Sequence, residues 1–235
     1  MDEIIQISGL KKSFGKLEVL KSVSCSFKTG TVVSVLGPNA SGKTTLIKSI
    51  LGMVIPDSGE IRFLGKPVGN SFAYKENIGY MPQIGRYPDN MKIGHQFEMM
   101  QDIRDKRTGL DTELIEAYKL ENMYEKAMRT LSGGTRQKVS AALACMFNPP
   151  VLILDEPTAG LDPLSAEILK DKIRKEKAKG KLILVTSHIM SEVDEIADEV
   201  MYLFEGQVKF YQSLESLKTE TGEEKLGKAL TKILV

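Results

Sequence analysis

Residues 37–44 read GPNASGKT, and what flanks them decides how the chain folds. Before the run lies Thr31 to Leu36, a nearly continuous β-branched and apolar stretch of strand length. After it, Thr44 to Leu51 has the spacing of a helix that ends at Gly52. A strand, a glycine-rich loop and a helix in that order match the phosphate-loop pattern in the context it needs. The glycines let backbone N–H groups curl around a phosphate, and the N-terminus of the following helix favours the anion. Gly37, Pro38, Asn39, Ala40, Ser41, Gly42, Lys43, Thr44 and Thr45 are therefore the expected phosphate cradle. Lys43 is expected to reach the β- and γ-phosphates, and Thr44 to ligate Mg²⁺.

Further parallel strands are expected at Val151 to Leu154 and Leu182 to Val185, both short apolar runs of buried-strand type. Asp155-Glu156 follows the first of them, so the two carboxylates stand at the C-terminal end of a strand, where open α/β sheets bind ligands. Alone, such a pair reads equally as a helix cap or a surface feature. Beside a phosphate loop, Asp155 is expected to hold Mg²⁺ through water and Glu156 to act as general base on the attacking water.

The remaining pattern sorts into an antiparallel edge, a helical insert and a tail. Ile4 to Ile7 and the alternation Val23, Cys25, Phe27 predict strands closed by a turn at Thr29-Gly30. Glu60 to Phe63 predicts another, and a further strand ends near Tyr80. From residue 87 to 130 the period becomes helical, with Phe97, Met100 and Ile103 on one stripe and Leu114, Ile115 and Tyr118 on a second. A helix opens between Leu131 and Thr135 and runs to Met146, and Asp162-Pro163 places a cap before a helix through Lys177. Ser191 with Asp194 resembles a capping box, and Glu205-Gly206 predicts a turn between two strands. The expected division is one domain over 1–235, with a core from 1–86 and 131–212, a helical subdomain at 87–130 and a charged amphipathic tail at 213–235.

Composition narrows the setting. Thirty-two basic and 31 acidic residues leave a net charge of +1, which gives no broad footprint for nucleic acid. No run approaches the roughly 20 apolar residues that cross a bilayer. MDEIIQISGL lacks the features of a secretory signal, so a cytoplasmic location is expected. Cys25 and Cys145 read as buried free thiols of a reducing compartment.

Leu131-Ser132-Gly133-Gly134, VLILDEPTAGLD, Gln83 in Tyr80-Met81-Pro82-Gln83 and His188 after a buried strand stand in one order with the phosphate loop. Over residues 4 to 210 the chain resembles the ATP-binding cassette ATPases. The resemblance implies an α/β fold, a P-loop NTPase core with a mostly parallel sheet, an antiparallel β edge and an inserted helical subdomain. It implies ATP and Mg²⁺ as ligands, Phe14 stacking on adenine, Gln83 contacting Mg²⁺ and the attacking water, and His188 contacting the γ-phosphate. Ser132, Gly133 and Gly134 would serve the ATP of an opposite subunit, with Asp162 linking the two sites. Departures from the family pattern are Thr135 in place of glutamine, Ala40 in place of glycine, and Phe14 in place of tyrosine.

The partners so implied are a second cassette, as a homodimer, and integral membrane permease subunits contacting a groove near Gln83. That places the chain on the cytoplasmic face of the membrane. Met81, Met91, Met99 and Met100 could line such a groove, although helical-core packing is the favoured expectation. IGYMPQIGRYPDNM and TSHIMSEVDEIADEV look similar to the type-2 exporter branch, including cassettes that mature nitrous oxide reductase. Two alternatives remain: a soluble cassette such as the ATPase of iron–sulfur cluster assembly, and an ATP-dependent clamp without turnover.

Overall fold

Burial explains the order of strands in the computed structural model, which describes residues 2–69 and 72–234. The central sheet holds β3 (Val32–Leu36), β6 (Ile78–Met81), β7 (Val151–Asp155), β8 (Leu182–Thr186), β9 (Glu199–Phe204) and β10 (Gln207–Ser213), in the order β10-β9-β3-β8-β7-β6. Every residue of β3, β7 and β8 is buried, as their unbroken apolar runs require of strands covered on both faces. Only the β9–β10 pair is antiparallel in this sheet, joined by a turn at Glu205-Gly206.

A second, antiparallel sheet has the order β2-β1-β4-β5, from β1 (Glu3–Phe14), β2 (Leu17–Lys28), β4 (Ser58–Phe63) and β5 (Lys66–Pro67). β1 and β2 each run 12 residues, well past the expected Ile4 to Ile7. Their alternation is broken by register shifts, one of them between Ile7 and Leu10, with Gly9 at φ 58° and Ser22 at φ 64°. Such bulges flip the buried face and conceal a long strand from a period-two reading. Helix α1 (Lys43–Ile50) lies between the sheets and contributes Leu46, Ile47 and Ile50 to their shared core.

The opposite face of the central sheet carries α2 (Ile93–Ile103), α3 (Glu113–Ala117), α4 (Gly133–Cys145) and α5 (Pro163–Ala178) around one apolar cluster. The segment 87–130 is less regular than its pattern predicts: besides α2 and α3 it has two 3-10 turns, Leu120–Met123 and Met128–Thr130. Phe97 is buried and Met100 packs against the cluster, but Ile103 is 68% exposed at the end of α2, contrary to its place on the expected stripe. Lys172, 2% exposed on α5, ties this layer together through Asp111 at 2.5 Å and Glu113 at 2.7 Å.

One expectation near the C-terminus needs correction. The short helix α6 (Met190–Ile196) has Ile189 as its cap, with no side-chain cap bond, so Ser191 and Asp194 form no capping box. The amphipathic tail folds as two helices, α7 (Leu214–Thr221), capped by Ser213, and α8 (Leu226–Leu234), which bury Leu214, Leu217, Leu226, Ala229 and Leu230. Both cysteines are free thiols as expected, Cys145 buried and Cys25 half-buried, and burial pushes each pKa up to about 12. Among the described residues, no helix is long and apolar enough to cross a membrane.

Candidate functional site

The ends of β3, β6, β7 and β8 converge on one cleft of about 260 Å³, lined by Asn39 to Thr45, Gln83, Asp155, Glu156 and His188, with Leu17 and Val19 opposite. The loop before α1 is folded by positive φ at Gly37 (146°), Ala40 (61°) and Gly42 (105°). Gly37 and Gly42 cannot carry a side chain, since a Cβ would come within 2.0 Å of the Leu203 carbonyl and 2.8 Å of the Leu20 side chain respectively. Lys43 is 9% exposed and donates to the Gly37 and Pro38 carbonyls at 2.7 and 2.9 Å, so its ammonium closes over the loop. Burial lowers its pKa from the ordinary value, and the Glu156 and Asp155 carboxylates act in the opposite direction. The Ser41 hydroxyl is buried without a hydrogen-bond partner among the described residues. An orphaned hydroxyl and a buried ammonium in a curled loop fit a phosphate ligand.

Ala40 holds in strain what a glycine would hold freely. Ala40→Gly is expected to stabilise the chain by about 1 kcal/mol, read as a shifted midpoint in denaturant unfolding. A lower midpoint would show that the loop does not store this strain.

Across the cleft, Glu156 is held from two sides. Gln83 Nε2 donates to its Oε2 at 2.9 Å, and His188 Nε2 lies 3.0 Å from its Oε1. Its backbone is itself unusual for a non-glycine residue, with φ 49°, and its N–H donates to the Thr186 hydroxyl at 3.0 Å. The Thr186 hydroxyl in turn donates to Asp155 Oδ1. A left-handed residue held by its neighbours is where strain is tolerated for function. Gln83 is fixed through its carbonyl, which accepts from Gln137 Nε2 at 3.0 Å. Thr44 and Asp155 share the cleft with Gln83, and no group of three or more His, Cys, Asp or Glu with metal-holding geometry occurs among the described residues. The Thr44 hydroxyl, the Asp155 carboxylate and the Gln83 amide are oxygen donors of the kind Mg²⁺ takes beside water and substrate phosphates.

The structure does not bring all the expected site residues into this cleft. Phe14 is 52% exposed at the end of β1, paired in register with the cleft residue Leu17, and Lys12 Nζ lies 5.4 Å from its ring centre. Ser132 and Gly133 are exposed at the start of α4, outside the lining of this cleft. Ser132 caps α4 by accepting from the Thr135 N–H at 3.2 Å, and its hydroxyl pairs with that of Thr135, which gives the substituted threonine a local role. Gly134 faces the Gly160 carbonyl so closely that a Cβ would come to 2.6 Å. Asp162 caps α5 by accepting from the Ser165 N–H at 2.9 Å and pairs with Lys138 at 2.9 Å, contacts that hold its carboxyl well below the usual range.

Sequence reading missed Thr186, Gln137, Leu17 and Val19. Thr186 had a signal in its place, the last strand residue before Ser187-His188. Gln137 had none, because its partner carbonyl is 54 residues away.

A family model described as ABC transporter matches residues 20–159. The Nod factor export ATP-binding protein I of Ralstonia nicotianae is 31% identical over 213 residues, covering 87% of this chain and 65% of its own length. The lantibiotic transport ATP-binding protein SrtF of Streptococcus pyogenes is 31% identical over 218 residues, covering 92% of this chain and 94% of its own. Among solved structures, an ATP-binding subunit of an ABC transporter superposes with a TM-score of 0.89 at 25% identity, covering 99% of this chain and all of that one (100%). An ATP-binding cassette of an ABC transporter in its ADP conformation gives 0.77 at 26% identity, covering 94% and 95%.

Proposed function

Since the chain belongs to the ABC transporter family, as an ATP-binding ATPase subunit, we propose that two copies dimerise head to tail around two ATP molecules and drive separate membrane subunits in export. The observation that carries this is the separation of the two halves of the chemistry. Lys43, Gln83, Asp155, Glu156 and His188 share one cleft, whereas Ser132 and Gly133 stand exposed at the N-terminus of α4 and outside it. A helix N-terminus with a serine is an anion site, and here it needs a phosphate already held by another copy.

Within one cleft, the loop from Gly37 to Thr45 binds the phosphates and Lys43 moves from its loop carbonyls to the β- and γ-phosphate oxygens. Thr44, Asp155 and Gln83 would hold Mg²⁺, which would supply positive charge to offset that of the phosphates. Glu156, held by Gln83 and His188, accepts a proton from water as the water oxygen bonds to the γ-phosphorus and the bond to ADP breaks, its electron pair leaving with ADP. Phe14 and Leu17 flank the position of the base, and Asp162 sits between the two sites at the start of α5.

Mixing tests the shared site. Lys43→Ala spoils the cleft and Ser132→Arg spoils the opposing face, so each variant alone is inactive. A mixture of the two contains dimers with one intact composite site and regains turnover. A mixture that stays as inactive as its parts would sink the shared-site reading.

For membrane partners, the support is a groove of about 270 Å³ between β6, α2 and α4, lined by Tyr80, Pro82, Arg86, Tyr87, Arg104 and Phe147. It begins beside Gln83, so a segment seated there bears on the residue that holds Glu156. Of the four methionines considered, only Met100 lines it; Met81 is wholly buried in the core. Export is supported by the similarity to the Nod factor export protein, beside a lantibiotic transport protein, and by the resemblance to the type-2 exporter branch. Those similarities favour a transporter over a soluble assembly ATPase, and the cytoplasmic face of the membrane is the corresponding location. Affinity purification from membranes is expected to recover a polytopic partner.

A further inference from the structure

Helix α6 begins two residues after His188, and its three carboxylates tie it to a loop and three other helices. Thr158 Oγ1, in the loop that follows Glu156, donates to Glu192. Glu195 pairs with Lys170 of α5. Asp194 reaches the C-terminal pair: its Oδ1 is 2.8 Å from Lys218 Nζ of α7, and its Oδ2 accepts from the Leu226 N–H, the first residue of α8, at 2.9 Å. The apolar side of the same junction is one cluster of Leu36, Val193, Leu217, Leu226, Ala229 and Leu230. Leu36 immediately precedes Gly37 of the phosphate loop. The two C-terminal helices thus press on both the strand end before the phosphate loop and the helix after His188, with Asp194 as the polar fastening.

We propose that Asp194 is a positioning residue for hydrolysis, holding the C-terminal helix pair against α6 and thereby setting where His188 meets Glu156. An ion pair with only 20% of the Asp194 side chain and 29% of the Lys218 side chain exposed is shielded enough to hold α6 in place. A helix of seven residues has little rigidity of its own. Released from α7 and α8, α6 lets the His188 ring drift, and displacements of this kind far from the chemistry lower kcat more than binding. The inference rests on the reading of His188 as a γ-phosphate contact that also orients Glu156.

The test compares steady-state ATP hydrolysis by the full chain and by Asp194→Ala, Lys218→Met, His188→Ala and the Asp194→Ala/His188→Ala double variant, with thermal unfolding as a check on folding. Asp194→Ala is expected to lower kcat about 10-fold with KM for ATP within about twofold. Lys218→Met, which keeps the bond to the Leu226 N–H, lowers kcat in the same sense by less, and carries the test if Asp194→Ala fails to fold. The double variant is expected to be no slower than His188→Ala alone, because residues that act as a unit are not additive. Losses that multiply in the double variant, or wild-type kcat in both Asp194→Ala and Lys218→Met, would overturn the proposal. Wild-type kcat in His188→Ala would instead overturn the reading of His188 on which it rests.

Discussion

Glu156→Gln is expected to cut ATP turnover by about 1000-fold, within the range general bases contribute, while ATP still binds. Glutamine keeps an oxygen where Gln83 donates, so the local frame survives, but it cannot accept the proton of the attacking water. The phosphate loop is untouched, and Lys43 meets the nucleotide as before. The expected pattern is therefore a collapse of kcat with little change in nucleotide affinity, measured by phosphate release and by equilibrium titration with ATP. A variant that keeps even a tenth of the original turnover would remove Glu156 from the role of base, leaving catalysis to positioning and charge alone.

Lys43→Ala is expected to have its largest effect on binding. Among the described residues, Lys43 is the buried lysine that lines the cleft, and its ammonium is already held at the loop by two carbonyls, Gly37 and Pro38. Charge-assisted bonds to phosphate contribute up to about 3 kcal/mol, which corresponds to roughly a 100-fold loss of ATP affinity. Isothermal titration of the variant with ATP checks this. Unchanged affinity would mean that the nucleotide is held elsewhere, and the cleft would lose its assignment.

How far the sequence carried this account depends on the range of each contact. The phosphate loop and the acidic pair were legible because each lies in one short run whose flanking strand and helix are also local. The buried strands β3, β7 and β8 were legible for the same reason. β1 and β2 were visible only as fragments, since bulges near Gly9 and Ser22 reverse the alternation on which a strand is recognised. Asp194 was misread because a carboxylate three residues from Ser191 matches a local cap, whereas its partners on α7 and α8 lie 24 or more residues on. The tail was legible as amphipathic but its ion pairs were not: its lysines and glutamates read as a charged face, and pairs such as Lys232 with Glu223 at 2.7 Å join them across the two helices.

The site divides along the same line. Lys43, Asp155, Glu156, Gln83 and His188 come together in the fold as their motifs imply, but the shell that holds them, Thr186 on Asp155 and Gln137 on Gln83, joins residues 31 and 54 positions apart. No pattern in the chain announces the Gln137 bond, and Thr186 is marked only by its place before Ser187-His188. For Ser132, Gly134 and Asp162 the family resemblance implied service to an opposite subunit, and in the fold all three stand outside the lining of the cleft.

That separation is the central claim, and the size of the Glu156→Gln chain in solution tests it most directly. Sedimentation with saturating ATP and Mg²⁺ is expected to show conversion from single chains to dimers carrying two nucleotides, with ADP leaving the chains single. A Glu156→Gln chain that binds ATP fully and sediments as a single copy would contradict a site built from two cassettes.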